Sequence, residues 1–173
     1  MTNEYGKIAP SKLDWCVSGV LAALAALLYG LTTAGYLYPG ESAHLMSVWK
    51  GLDTAAFNQY PLLSFFGTLF GGGNAIAPIA GVVATFSLYH VMSFFVRARV
   101  AEEVSAEDEA PRSGLVAGVA ASVVFMFTPC VMSAATHLEP RMFDFAWALV
   151  ICLLAYPYLR APRALAWLFP IAA

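Results

Sequence analysis

Residues 15–39 read WCVSGVLAALAALLYGLTTAGYLYP, and none of these positions carries a charged side chain. A helix needs about 20 consecutive, mostly apolar residues to cross the hydrocarbon core of a bilayer. In lipid, a helix is favoured because it bonds its own backbone polar groups. The stretch is therefore predicted to span a membrane. It also exceeds the roughly 7–15 apolar residues of a signal peptide, which favours a retained anchor.

Three further apolar runs predict three more spans, and the last of them has Asp144 near its start. The run from 54 to 96 is too long for one helix, and Gly71-Gly72-Gly73-Asn74 divides it into a short apolar segment and a full span. The sequence therefore predicts an all-α, polytopic membrane protein with about four transmembrane helices. The predicted parts of this single membrane domain, 1–173, are spans 15–38, 75–97, 114–135 and 142–159, external loop 39–74, acidic linker 98–113 and apolar tail 161–173.

The composition supports a bilayer as the solvent and excludes other classes. Hydrophobic residues make up 60% of the chain, charged residues 12%, and the mean hydropathy is +0.70. Soluble proteins carry about 25% charged residues. A net charge of −2 with scattered cations excludes a nucleic-acid binder. The three cysteines have no paired spacing, which excludes a disulfide scaffold.

The distribution of Lys and Arg predicts the orientation. Short loops rich in these residues stay in the cytoplasm. Seven cations fall on one side of the predicted spans and two on the other. The seven are Lys7, Lys12, Arg97, Arg99, Arg112, Arg160 and Arg163, and the two are Lys50 and Arg141. We therefore expect both termini in the cytoplasm and the chain in a bacterial inner membrane.

The first external loop contains a predicted amphipathic helix. Pro39-Gly40 ends the first span, and a new helix is expected to start at Glu41, since a carboxylate is favoured at a helix N-terminus. An apolar stripe at helical spacing would lie in the membrane interface. Its members are Leu45, Val48, Trp49 and Leu52.

Glu41 and His44 would lie one helical turn apart beside the end of the first span. A carboxylate and an imidazole in this position suit general base catalysis on a hydroxyl group. They also suit a divalent metal ion held on a phosphate. In the alternative interpretation Glu41 is only the N-terminal acid of a helix, and His44 is an interfacial residue.

The second external loop gathers ionisable residues between spans that are otherwise uncharged. Glu139, Arg141 and Asp144 lie within six positions, and His137 precedes them. Ionisable groups at membrane depth usually face a protein interior or a water-filled cavity. One interpretation is that Arg141 pairs with Glu139 or Asp144. In the other, Glu139 and Arg141 face a cavity in which Arg141 holds an anionic phosphate.

His90 is isolated within the second span. A haem would need a second histidine at similar depth, and His44 and His137 belong to the external side, so a b-type haem is not expected. We predict that His90 makes a hydrogen bond between helices. The small residues of 75–84 and 114–122 are likewise expected to be close-packing surfaces.

Three stretches are similar to the N-terminal part of GT-C type membrane glycosyltransferases, closest to bacterial uncharacterised proteins related to protein O-mannosyltransferases. The first contains an acid soon after span one, the second an aromatic-Pro pair leading into span two, and the third a Pro, an Ala-rich run and a Glu before a Phe/Leu-rich span. The stretches are YPGESAHLMSVWKGLD (38–53), NQYPLLSFFGTLFGGGNAIAPIAGVVATFSLYHVMSFFVRAR (58–99) and FTPCVMSAATHLEPRMFDFAWALVICLLAYPYLR (127–160).

The resemblance implies sugar transfer from a polyprenyl-phosphate donor to an external acceptor, with this chain as a fragment or split half of the enzyme. It implies a catalytic role for Glu41 and substrate contacts for His44, Tyr60, Glu139 and Arg141. The alternative is a non-catalytic accessory subunit of a larger membrane complex. Both functions imply contact with membrane lipid and with other membrane protein chains. A small transporter is disfavoured, because no charge lies in the middle of a predicted span.

Overall fold

The computed structural model describes residues 10–33, 43, 46–47, 61–69, 75–103, 109–137 and 139–160. Within these ranges each regular element is an α-helix and there is no β-strand, which confirms the predicted all-α class. We number the helices in chain order. They are α1 (Lys12–Thr32), α2 (Pro61–Leu69), α3 (Ile76–Glu103), α4 (Glu109–Phe127), α5 (Pro129–Thr136) and α6 (Pro140–Arg160).

Three segments are long and apolar enough to cross a bilayer: Lys12–Thr32, Ile76–Ala101 and Ala110–Phe127. They are compatible with a multi-pass membrane protein. The fourth predicted span falls on α6, which has 21 residues. The structure does not describe the side chains of residues 156–160 in this helix. The count of four spans therefore stays a prediction.

The predicted interfacial helix lies mostly outside the described residues. Of its segment the structure describes Ala43, Met46 and Ser47, all in helical conformation. The Met46 side chain is buried against Leu63 of α2 and Ile76 of α3. The residues of the proposed apolar stripe are not among those described, so this helix also stays a prediction.

Helix α1 begins at a capping box. The backbone N–H of Ser11 donates to Asp14 Oδ2 at 2.7 Å, and the N–H of Asp14 donates to Ser11 Oγ at 3.3 Å. These two bonds satisfy donors that a helix N-terminus leaves without intrahelical partners. The buried face of α1 then repeats at helical spacing through Asp14, Ser18, Leu21, Ala25 and Tyr29. Large apolar side chains occupy the opposite, exposed face, as expected of a helix whose outer surface meets lipid: Leu13, Val20, Leu24, Leu27 and Leu31.

Helix α3 is the centre of the bundle and packs against α1, α4, α5 and α6. Its 28 residues span about 42 Å, compared with about 30 Å for the hydrocarbon core. The predicted second span ended at 97, but α3 continues to Glu103, and α4 already begins at Glu109. Both helices therefore extend into the predicted linker 98–113. The reason is that Ala, Arg and Glu, which dominate 98–103, are strong helix formers.

The predicted close packing of small residues is confirmed between α3 and α4. A Cβ atom added to Gly118 would lie 2.9 Å from the ring of Tyr89 and 2.9 Å from its carbonyl oxygen. A Cβ on Gly114 would lie 2.5 Å from the side chain of Arg97. These glycines allow the two helices to approach more closely than any larger residue would permit.

The predicted third span, 114–135, is divided into two helices. Thr128 has an extended backbone, with φ −69° and ψ 124°, and Pro129 starts α5. Proline lacks a backbone N–H, and its ring disfavours helical geometry in the residue before it. The continuous helix predicted here is corrected to α4 and α5 for this reason.

Candidate functional site

An open groove lies at the end of the bundle where α4 ends and α6 begins. It has a volume of about 700 Å³ and is lined by residues of α4, α5 and the first turns of α6. The helix is interrupted here, because α4 ends at Phe127 and α5 begins at Pro129. The groove lies beside this interruption. The groove is large enough for part of a lipid-sized molecule.

The walls of the groove are mainly apolar. The rings of Phe125 and Phe145 stack with their centroids 5.5 Å apart and their planes inclined by 22°. Val131 and Met142 extend the apolar surface. A hydrocarbon segment could therefore contact this surface without removing polar groups from water.

Glu139 and Arg141 form the charged part of the lining. Arg141 Nη1 lies 3.7 Å from Glu139 Oε1, and the two side chains are 85% and 34% exposed, respectively. The backbone carbonyl of Glu139 accepts a hydrogen bond from Met142 N at 3.2 Å, which fixes its main chain at the start of α6. The Arg141 side chain is thus a mostly exposed cation beside the apolar wall of the groove.

The start of α6 adds its helix dipole beside the groove, although Pro140 has no N–H and the N–H of Met142 already donates to the Glu139 carbonyl. The first backbone N–H groups of a helix lack intrahelical partners and carry a partial positive charge. Anions bind at such positions, especially with an arginine nearby. The arrangement therefore suits an amphiphile with an anionic group at Arg141 and an apolar part along the aromatic wall.

Of the five residues predicted for the site, the structure describes two. Glu139 and Arg141 lie in the same groove and contact each other. Glu41, His44 and Tyr60 lie outside the described residues, so their predicted roles are not addressed by the geometry. Tyr60 directly precedes α2, which begins at Pro61.

Within the described ranges there is no group of three His, Cys, Asp or Glu side chains placed to hold a metal ion. The divalent metal considered from the sequence would involve Glu41 and His44, which are not described. The groove itself offers the carboxylate of Glu139 and the hydroxyl of Ser133 beside the cation of Arg141. The two charges are opposite, and Arg141 is the more exposed of the pair, so its guanidinium is the part of the lining that an anion could contact.

A second polar cluster lies at the opposite end of the bundle, centred on the buried carboxylate of Asp14. Oδ1 accepts from Arg97 Nη2 at 2.5 Å and from the Tyr89 hydroxyl at 2.9 Å. Oδ2 accepts from the backbone N–H and the hydroxyl of Ser11, both at 2.7 Å. The carboxylate therefore has four donors, and the Asp14 and Arg97 side chains are only 1% and 4% exposed.

Arg97 connects three helices through this cluster. It pairs with Asp14 of α1, donates to the carbonyl of Pro111 in α4 at 3.4 Å, and is itself part of α3. Its stem packs against Gly114 of α4. An ion pair this deeply buried, with four donors on its carboxylate, holds helices together rather than presenting a charge to a ligand.

His90 confirms the predicted hydrogen bond between helices. Its Nε2 lies 3.0 Å from the hydroxyl of Ser18 in α1. Its ring packs against Trp15, with centroids 4.8 Å apart, and against Tyr89, 5.1 Å apart. The imidazole is 2% exposed and belongs to the packing between α1 and α3.

The Asp14–Arg97 pair is not apparent from the sequence. Arg97 follows an apolar run and resembles a loop cation, and Asp14 is a single acid before the first span. The available signal was the spacing Ser11-x-x-Asp14 before an apolar run, which is the capping-box pattern. That pattern would have placed Asp14 at the start of α1, but it gives no information on the partner 83 residues away.

A smaller, apolar cavity of about 200 Å³ lies on another face of α6, between α2 and α3. Phe66, Ile79, Phe143 and Trp147 are among the residues that line it. The rings of Phe66 and Phe143 lie 5.7 Å apart. This cavity contains no charged residue and therefore provides packing space rather than a reactive site.

No protein-family model matches the chain, and neither a curated protein nor a solved structure matches it. The similarity to GT-C glycosyltransferases therefore stays a prediction from the three stretches quoted above.

Proposed function

We propose that this chain is a GT-C-like protein of a bacterial inner membrane that binds a polyprenyl-phosphate sugar in the groove beside α6. Within a larger or split enzyme, the sugar is transferred to an external acceptor. The observation that carries the proposal is the exposed Arg141 side chain beside an apolar, aromatic-walled groove of about 700 Å³.

The chemistry of the donor lipid matches this arrangement. A polyprenyl phosphate combines a permanent negative charge with a long apolar chain. Arginine binds phosphate through a planar set of donors, and the stacked rings of Phe125 and Phe145 offer an apolar surface next to it. The start of α6 adds a favourable dipole.

The proposed orientation is consistent with an external groove. Lys12, Arg99 and Arg112 lie at the end of the bundle that holds the Asp14–Arg97 pair, and all three are exposed. This end is assigned to the cytoplasm because cationic segments remain there. The groove is at the other end of α4, about 24 Å along the helix axis from Pro111, and therefore outside.

The catalytic assignment rests on the resemblance. Glu41 would act as the base that accepts the proton of the acceptor hydroxyl, with His44 and Tyr60 contacting substrate. A general base must lie within hydrogen-bond reach of that proton or one water away. Glu41→Gln is therefore expected to abolish transfer while the membrane-inserted fold is retained.

Lipid binding tests the proposal directly. We would reconstitute the full chain in phosphatidylcholine nanodiscs and titrate undecaprenyl phosphate, with uncharged undecaprenol as the comparison ligand. Arg141→Gln should weaken binding of the phosphate about 10-fold or more, since hydrogen bonds to charged groups contribute about 1.5–3 kcal/mol. Binding of undecaprenol should not change.

Arg112→Gln is the matched control, because it removes an exposed arginine from the opposite end of the bundle. Its affinity for undecaprenyl phosphate should equal that of the wild type. Equal binding of the two lipids by the wild-type chain, or equal losses in the two arginine variants, would refute a phosphate site at Arg141.

A second candidate function is a non-catalytic subunit that docks against another membrane protein. The outer face of α1 favours it: a Cβ atom at Gly19 or Gly30 would meet nothing within 4 Å. A groove of about 540 Å³ between α1 and α3 includes Ala26 and Gly30. Small exposed residues of this kind allow close approach of a second helix in a membrane.

The native mass of the detergent-solubilised complex separates the two candidates. A co-purifying chain that supplies further membrane spans with lipid-linked sugar activity supports the transferase. A co-purifying complex of unrelated function, lost when Gly19→Ile blocks the outer face of α1, supports the accessory subunit. Gly19→Ala is the milder control, because open space is available for its single methyl group.

A further inference from the structure

Glu139 is the anionic neighbour of Arg141 in the groove. Its carboxylate carries the same sign of charge as the proposed ligand and contacts the cation that would bind it. We propose that Glu139 competes internally with the anionic group of the ligand for Arg141, so that it weakens and tunes phosphate binding. This inference rests on the proposed function of the groove. It differs from the resemblance, in which Glu139 contacts substrate favourably.

The geometry identifies which partner is fixed and which can move. Glu139 precedes Pro140, and its carbonyl accepts from Met142 N at 3.2 Å, so its backbone is held at the start of α6. Its side chain is 34% exposed, whereas that of Arg141 is 85% exposed. Arg141 can therefore leave Glu139 for another anion, while Glu139 stays at the groove lining.

The separation of the charged atoms supports exchange rather than a permanent pair. At 3.7 Å, the contact between Nη1 and Oε1 is an ion pair but longer than a charge-assisted hydrogen bond. Exposed ion pairs of this type are weak, and the equivalent change in affinity is about 1.5- to 5-fold. A phosphate must overcome this pairing and the repulsion from the carboxylate.

The sign of the effect distinguishes the two roles of Glu139. If it competes, then Glu139→Gln frees Arg141 and tightens undecaprenyl phosphate binding about 1.5- to 5-fold. If it contacts the ligand favourably, the same substitution weakens binding. The gain should shrink as salt is raised, because exposed charges are screened over about 10 Å at 0.1 M.

The experiment uses the full chain in phosphatidylcholine nanodiscs with undecaprenyl phosphate and undecaprenol as probes. Asp144→Asn is the matched control: it removes an exposed carboxylate from the same helix, outside the groove lining. We expect tighter phosphate binding in Glu139→Gln, a smaller gain in Asp144→Asn, whose carboxylate lies one helical turn from Arg141 without pairing with it, and no change for undecaprenol. In the Arg141→Gln background, Glu139→Gln should produce no gain.

Glu139→Ser provides a second variant in case the glutamine disturbs the start of α6, since serine also satisfies helix N-terminal N–H groups. It should tighten phosphate binding as Glu139→Gln does. If the wild type prefers undecaprenyl phosphate but neither variant binds it more tightly, this inference is overturned and the proposed function stands. If neither the wild type nor the variants distinguish the two lipids, the proposed function is overturned together with it.

Discussion

Replacing Asp14 should be among the most damaging single changes in this protein. In Asp14→Asn, the side chain keeps its size, but one carboxylate oxygen becomes an NH₂ group. The four donors from Ser11, Tyr89 and Arg97 then face a neutral amide. Arg97, whose side chain is 4% exposed, keeps its charge without a counterion.

The expected loss follows from burial of the pair. Removing one partner of a buried ion pair costs about 3–5 kcal/mol, because an uncompensated charge remains. This is a large part of the roughly 5–15 kcal/mol by which domains are stable. The double variant Asp14→Asn/Arg97→Gln removes both charges and should lose about 1–3 kcal/mol less than the sum of the single variants.

The measurement is reversible unfolding by SDS in mixed micelles, followed by far-ultraviolet circular dichroism of the full chain. Asp144→Asn serves as the control, since it makes the same chemical change at an exposed position of α6. It should stay within about 0.5 kcal/mol of the wild type. A loss below about 1 kcal/mol in Asp14→Asn, or strict additivity in the double variant, would refute a buried pair between α1 and α3.

Two further predictions concern the same end of the bundle. Gly118→Ala should destabilise the protein by about 1–3 kcal/mol, because its Cβ would meet the Tyr89 ring and backbone at 2.9 Å. Gly19→Ala, where the space is open, should be neutral or stabilise by up to about 1 kcal/mol, and the same SDS titration measures both. Tyr89→Phe deletes the 2.9 Å bond to Asp14 and should cost about 1.5–3 kcal/mol. An unchanged SDS midpoint in Tyr89→Phe would show that the carboxylate does not need this donor.

Apolar run length was sufficient to predict the main helices. Residues 15–32 of the uncharged stretch 15–39 belong to α1, which ends at Thr32, earlier than the predicted span 15–38. The run after the Gly71–Asn74 break contains α3. Both are predictable because length and hydropathy are local properties. The break at Thr128-Pro129 was also readable from the sequence. Run length and hydropathy do not show this break, because the apolar run continues through Pro129 without a charge.

In the two polar clusters, too, the local contact could be anticipated from the sequence and the long-range contact could not. Glu139 and Arg141 are two residues apart, so their proximity could be predicted from the sequence, but spacing did not decide between Glu139 and Asp144 as the partner of Arg141. The Asp14–Arg97 pair joins residues 83 positions apart, and no local pattern encodes which helices become neighbours. The same holds for the close approach of α3 and α4 at Gly118, because the glycine alone predicts only that some helix will pack there.

The Asp14–Arg97 pair also has a consequence for the order of events during synthesis. At about 5–20 residues per second, the ribosome completes Arg97 roughly 4–17 seconds after Asp14. Throughout that interval the first helix carries a carboxylate whose counterion has not yet been made. Until Tyr89 has been made, Ser11 is the only donor to this carboxylate in the final structure that has already been synthesised. The contact that neutralises the acid of α1 can thus form only after the first 97 residues have been made.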